Sequence, residues 1–172
     1  NLICNAENEK AICRLREIKK RYKKPFAVMF PDVPTLSHYL NILPLEKEIV
    51  SSWRRPIVLL EEKQKIGTGI NDGYKTVGAM LPYLPVHYHL FASSELKALV
   101  MTSGNRGDNP ILTDNDAALS DLLREVDLFV EHNRDISNRV DDSIVQVVGA
   151  QPRIIRRSRG FTPDQEQQNR YL

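Results

Sequence analysis

Short apolar runs punctuated by proline set the tightest limit on what this chain can become. "FAVMF" is a brief apolar run of strand character, stopped by Pro31. "RPIVLLEE", "TVGAMLP" and "KALVMTS" read as three further buried strands. Between them lie segments with helical spacing. "EKAICRLREIKK" places Ile12, Leu15 and Ile18 on one face, after a first short strand in "NLIC" and an N-cap at Asn5 or Asn8. Pro25 is expected to end that helix. "DVPTLSHYLNIL" and "PLEKEIVSSW" read as two short helices, the second begun by Pro44 at a first-turn position. "PVHYHLFASSEL" is a fourth helix, and "TDNDAALSDLLREV" a fifth with a Thr or Asp cap.

"KQKIGTGINDGY", with three of the eight glycines, is a loop or hairpin. "DLFVEH", "SIVQVVG" and "RIIRRS" read as closing strands, the last two paired in a hairpin that turns at "GAQP". Strands alternate with helices, but not in strict βα order. The expected fold class is therefore α+β, a mixed sheet with helices packed on it in one domain. The polar stretch "TPDQEQQNRYL" reads as a tail, which leaves a domain over 1–163 and a tail or linker over 164–172.

Composition agrees with one globular core: 172 residues, 41% hydrophobic and 27% charged. A net charge of +2 is too small to argue for nucleic-acid binding by itself. Its distribution says more. Seven Lys or Arg against one Glu fall between Arg14 and Lys24, and four Arg between Arg153 and Arg159. Two such clusters could line one anionic-ligand site. Cys4 and Cys13 lack metal-ligand or CxxC spacing and sit among apolar residues, so both read as reduced core thiols. No run is long enough to span a membrane and no signal peptide opens the chain, which points to the cytoplasm. The opening "NLIC" reads as a strand already under way, as in a piece of a longer protein.

Four stretches could carry chemistry. "KKRYKKP" offers cations suited to phosphate oxygens, or a solvated helix end whose charges favour the dipole. "TSGN" places a hydroxyl and a carboxamide at the end of a strand, where open α/β sheets bind ligands; an ordinary turn is the alternative. In "RRSRG", alternation sets Arg157 and Arg159 on one face and Arg156 on the other, one of them able to meet phosphate unless the strand is simply a charged edge. In "NRVDDS", two carboxylates could help hold Mg²⁺ or merely form a polar turn. His87 and His89, two apart on a helix, do not share a metal, and Ser103 lacks partners for a hydrolase triad. Two cationic segments, a neutral polar strand end and no nucleophile with its base together fit nucleotide binding, where catalysis is positioning and charge neutralisation.

The order of segments then becomes recognisable. "NLICNAENEKAICRLREIKKRYKKPFAVMF", "RPIVLL", "VGAMLPYLPVH", "LVMTSGN", "DLFVEHNRDISNRVDDSIVQVV" and "IIRRSRGF" resemble the YrdC-like domain of HypF, the carbamoyltransferase of nickel–iron hydrogenase maturation, over residues 1–163. The resemblance implies a twisted mixed sheet flanked by helices, with a basic concave surface for ATP and Mg²⁺. It implies a reaction in which carbamate, made from carbamoyl phosphate elsewhere in HypF, attacks the α-phosphorus of ATP to give carbamoyl-adenylate and pyrophosphate. Other HypF domains then pass the carbamoyl group to HypE, on the way to the cyanide ligands of the hydrogenase iron.

Carried onto this chain, the K-x-R motif falls on Lys19 and Arg21, which would hold the triphosphate. The S-x-N motif falls on Ser103 and Asn105. The Arg of the final strand falls on Arg156, Arg139 is a further phosphate contact, and Asp141 or Asp142 would touch Mg²⁺. Taken as surface positions, Lys19 and Asn105 should tolerate alanine within about 1 kcal/mol of stability. Three features depart from the family pattern: the chain begins inside the match, after a glycine-rich segment; Ile18 stands where Arg is usual; Leu84 stands where Thr is usual. The alternatives are a YrdC-type enzyme making threonylcarbamoyl-adenylate for tRNA modification and a non-catalytic double-stranded-RNA-binding module. "MTSGN" and "MLPYLPVH" speak against the first, and the few aromatics among the basic stretches speak against RNA.

Overall fold

Alternation along the central strands decides how the layers form. In β2 (Ala27–Met29), β3 (Ile57–Glu61), β4 (Thr76–Met80) and β5 (Leu99–Thr102), successive side chains point to opposite faces of one sheet. Val28, Val58, Leu60, Val77, Ala79 and Val100 face one way into the main core. Met29, Ile57, Met80 and Met101 face the other way, in a smaller cluster. Gly78 keeps this second face flat, since a Cβ there would lie 2.9 Å from Ile57 Cγ2.

The structure, a computed structural model, describes residues 1–107 and 109–163. Its seven-stranded sheet runs β1-β5-β2-β4-β3-β6-β7, with β1 at Leu2–Asn5, β6 at Ile144–Val148 and β7 at Gln151–Arg156. β2–β4 and β3–β6 are parallel pairs and the remaining neighbours are antiparallel, so the mixed α/β expectation holds. The hairpin turns on Gly149 and Ala150, both at positive φ, between the paired Val148 and Gln151. The stretch assigned to the tail, 164–172, lies outside the described residues.

The thick face is covered by α1 (Glu9–Lys19), α2 (Val33–Tyr39) and α3 (Pro44–Ser51), which bring Ile12, Leu15, Ile18, Leu36, Tyr39 and Val50 into the core. Asn8 is the N-cap of α1 and accepts from Ala11 N, and Asp32 caps α2. Each fully buried aliphatic or aromatic side chain there contributes about 2 kcal/mol. On the thin face, α4 (Pro85–Ala92) and its approach supply Phe91 and Tyr83 against the Met29–Met101 cluster. α5 (Asn115–Leu122), capped by Asp114, continues into a 3₁₀ turn at Leu123–Glu125. No helix among the described residues is long and apolar enough to cross a membrane.

Three expectations need correction. Pro25 does not end α1: the helix stops at Lys19 because Lys20 turns left-handed (φ 48°) and the Lys20 and Arg21 amides bond back to Glu17 and Arg16 carbonyls, in a Schellman-like reversal. "DLFVEH" forms no strand. Leu128 and Val130 stay exposed and pair with no strand of the sheet. Cys13 is exposed, lying on the solvent side of α1, although both thiols are free; only Cys4 is shielded, and burial pushes its thiol up to about 11.

Candidate functional site

Topology explains why two distant motifs meet. β5 runs antiparallel to β2, pairing Met101 with Ala27, so the end of β5 lies beside the start of β2. The chain that leaves α1 must reach that same edge of the sheet to begin β2. It thereby delivers Lys19 and Arg21 to the turn that follows Thr102.

At that turn the Lys19 ammonium is enclosed by oxygens. Nζ donates to Ser103 O at 2.9 Å, Asn105 O at 2.8 Å and Asn105 Oδ1 at 2.6 Å, with Ser103 Oγ at 3.2 Å. The Ser103 hydroxyl donates to the same Asn105 Oδ1 at 2.5 Å. Asn105 Nδ2 donates to the carbonyls of Gly107 and Asn109, which closes the loop on itself. Lys19 is 3% exposed and Asn105 6%. Both are therefore interior groups rather than surface positions, and the expectation that alanine is tolerated there is withdrawn. An ammonium hydrogen-bonded in this way makes charge-assisted contacts, and removing it leaves several buried oxygens without a donor.

Arg21 is fixed beside this turn. Its Nη2 donates to Pro25 O at 2.5 Å, and its Nη1 lies 3.5 Å from Thr102 Oγ1. Its guanidinium lies 5.1 Å from the Phe26 ring centroid, with that of Arg16 4.8 Å from the same centroid. Arg16 also donates to Gly69 O through Nε and Nη2, fastening the glycine-rich β3–β4 loop to α1.

The other expected residues sit apart. Arg139 is exposed and donates to Ile111 O at 2.8 Å; the next residue, Leu112, bonds Gly104 O, so Arg139 borders the far limb of the turn. Arg156 ends β7 at the opposite edge of the sheet, opposite Ile144, and is exposed. Five strand steps separate β7 from β5, about 24 Å along the sheet. Lys19, Arg21, Ser103 and Asn105 thus converge, Arg139 flanks them, and among the described residues no hydrogen bond joins Arg156 to them.

A second cluster joins two residues that the sequence offered separately, Arg159 for phosphate and Asp142 for Mg²⁺. Arg159, just past β7, donates through Nε and Nη2 to Asp142 Oδ1 at 2.9 and 2.7 Å. It also reaches Arg55 O at 2.9 Å and Arg54 O at 3.2 Å, and lies 3.6 Å from the Tyr83 ring centroid. Gly160 makes this approach possible, since a Cβ there would meet Arg54 O at 2.9 Å. Tyr83 in turn stands edge-on to His87, 4.6 Å between centroids. Burial lowers the His87 pKa from its ordinary value and raises that of the Tyr83 phenol, whose ionisation nearby Asp142 also opposes. The available signal was the Arg-Gly step after the last strand: a cation next to a residue that permits close backbone approach.

Asp142 is thus committed to Arg159, and the Asp141 carbonyl accepts the Arg159 amide. Among the described residues no group of three or more His, Cys, Asp or Glu side chains converges. Asp142 Oδ1 is occupied by the Arg159 guanidinium.

Comparison with known proteins places this geometry. The profile of the Sua5/YciO/YrdC family, described as "Telomere recombination", matches residues 1–158. A carbamoyltransferase HypF from Rhizobium leguminosarum bv. viciae is 40% identical over 95% of this chain and 22% of its own length. The carbamoyltransferase HypF2 of Cupriavidus necator is 37% identical over 95% of this chain and 23% of its own. Full-length HypF, solved in a phosphate- and nucleotide-bound form, superposes with a TM-score of 0.90 at 46% identity, covering 94% of this chain and 26% of that one. The chain thus spans less than a quarter of the length of the curated relatives it matches. The resemblance to the YrdC-like domain of HypF read from the motifs is shown, and the chain belongs to the Sua5/YciO/YrdC family.

Proposed function

We propose that this chain forms carbamoyl-adenylate from carbamate and ATP, as one unit of a HypF-type carbamoyltransferase that passes the carbamoyl group through other domains to HypE. The observation that carries this reading is the Lys19-centred turn at the end of β5, in a chain so similar to a HypF solved with nucleotide and phosphate. Attack of a carbamate oxygen on the α-phosphorus breaks the bond to the β-phosphate bridging oxygen and releases pyrophosphate. Such a step needs fixed positive charge near the leaving group and donors held in place before the substrate arrives.

In this reading Lys19 acts mainly through the turn. Its ammonium sets the Ser103 and Asn105 backbone and hydroxyl and adds one buried positive charge beneath the nucleotide phosphates. Arg21, immobilised on Phe26, faces the same end, while Arg139 and Arg156 supply screened, longer-range attraction from the rim. Mg²⁺ would arrive on the triphosphate, held by phosphate oxygens and water, as this ion commonly is.

The test is ATP–pyrophosphate exchange by the full-length protein containing this chain. Carbamoyl phosphate is offered in one arm, and threonine with bicarbonate in the other. Exchange stimulated by carbamoyl phosphate and lost in Asn105→Ala supports the reading. Stimulation by threonine alone replaces it with the threonylcarbamoyl-adenylate reading. Exchange in neither arm, with RNA affinity that falls in Arg21→Ala, replaces it with an RNA-binding module.

A further inference from the structure

Outside the Lys19 turn, the densest set of directed contacts converges on one guanidinium. Arg159 ties together three segments at the ends of the neighbouring strands β3, β6 and β4: the 53–55 turn after α3, Asp142 before β6, and Tyr83 in the β4–α4 connection. Its own backbone is pinned as well. Its amide donates to Asp141 O, and the fully buried Ser143 hydroxyl donates to Arg159 O. Four of the five guanidinium N–H donors point to carbonyl or carboxylate oxygens within 3.2 Å, and the flat face is left for the Tyr83 ring.

The held ring matters because of where it stands. Tyr83 packs against the Met29, Ile57, Met80 and Met101 cluster, on the thin face of the sheet. The same ring also lines a groove with Trp53, Leu84 and Tyr88, so it is the partition between that face and the groove. Its amide reaches His87 Nδ1 only at 3.5 Å, its ring meets His87 edge-on, and its phenol contacts Asn1, which lies against Gly104 in the turn that holds Lys19. We infer that Arg159 is a positioning residue which holds the Tyr83 ring as a wall of the ligand-binding face. This rests on the adenylation reading for what the wall encloses, but not for the coupling itself.

The experiment pairs Arg159→Lys with Tyr83→Ala in the full-length protein. Lysine keeps a cation beside Asp142, so the fold is retained, but it lacks the planar stack and the fork. In the exchange assay we expect Arg159→Lys to lower kcat at least tenfold with KM for ATP within threefold, and Tyr83→Ala to do the same. The double variant should lose no more than either single one. Losses that multiply, or an Arg159→Lys kcat equal to wild type, overturn the inference.

A second readout works even if the protein shows no exchange and the adenylation reading has failed. Tyr83 ionisation, identified by difference from Tyr83→Phe in an ultraviolet pH titration, should move down toward the ordinary phenol value of 10.0 in Arg159→Lys. The cation is retained there, so such a fall reports water reaching a ring that burial had protected. An unmoved titration overturns the inference on its own.

Discussion

Two stretches of this chain are equally rich in cations and behave in opposite ways. Around 19–21, Lys19 is almost wholly buried and Arg21 lies against Phe26 with its guanidinium bonded to Pro25 O. Around 153–157, Arg153, Arg156 and Arg157 are exposed along an edge strand. The difference comes from topology. The first stretch leads into a strand beside β5 in the sheet, where a neighbouring turn offers inward-facing oxygens. The second lies on β7, whose outer side pairs with no strand among the described residues, and charge there keeps the edge from pairing further. Identical residue types organise the protein in one place and project a field in the other.

If that contrast is right, the largest effects lie on the buried side. Lys19→Ala should cost about 3 kcal/mol in urea unfolding, because it leaves the backbone carbonyls of Ser103 and Asn105 without their charged donor. Asn105→Ala should cost about 2 kcal/mol, since Gly107 O and Asn109 O then lose their donor as well. A cost below about 1 kcal/mol for both would mean the turn is held by its backbone alone, and the contrast collapses.

A smaller effect probes the thin face of the sheet, which lies between the two stretches. His87 is 2% exposed and its pKa is lowered, chiefly by burial. The native state therefore favours neutral imidazole, whereas the unfolded chain binds a proton near pH 6.5. Its contribution is fully present above about pH 6.5 and is lost as pH falls from there through the lower folded value. Chemical denaturation across pH 7.5 to 5 should show that slope in the wild type and a reduced one in His87→Gln. An unchanged slope would place the acid-sensitive group elsewhere.

Much of the fold could be read from the chain because its signals were local. Asn8, Asp32 and Asp114 cap helices through their own side chains, and the "GAQP" hairpin turns where two residues can adopt positive φ. "DLFVEH" misled because an apolar run becomes a strand only if a neighbour is free to pair with it, and spacing along the chain carries no such information. The same limit governs the site. Lys19, Arg21, Ser103 and Asn105 were found by motif, but their burial follows from the antiparallel register of β5 on β2. Arg159 was named only as a phosphate candidate, because its partners at 54, 55, 83 and 142 share no spacing with it.

The smallest stability effect is the most discriminating. Arg156→Ala should leave the unfolding free energy within about 0.5 kcal/mol, because the side chain is exposed at the end of an edge strand. If its field nevertheless reaches the proposed phosphate site across the sheet, ATP affinity should fall severalfold at low salt. That loss should fade at high salt, because a Debye length of about 10 Å at 0.1 M screens an exposed charge at that separation. Calorimetric titrations at two ionic strengths separate the cases. A loss that persists at high salt would mean direct contact and bring Arg156 into the site beside Lys19. No loss at either ionic strength would confine the ligand's electrostatics to the buried stretch, and the basic edge would then serve only to keep β7 from pairing.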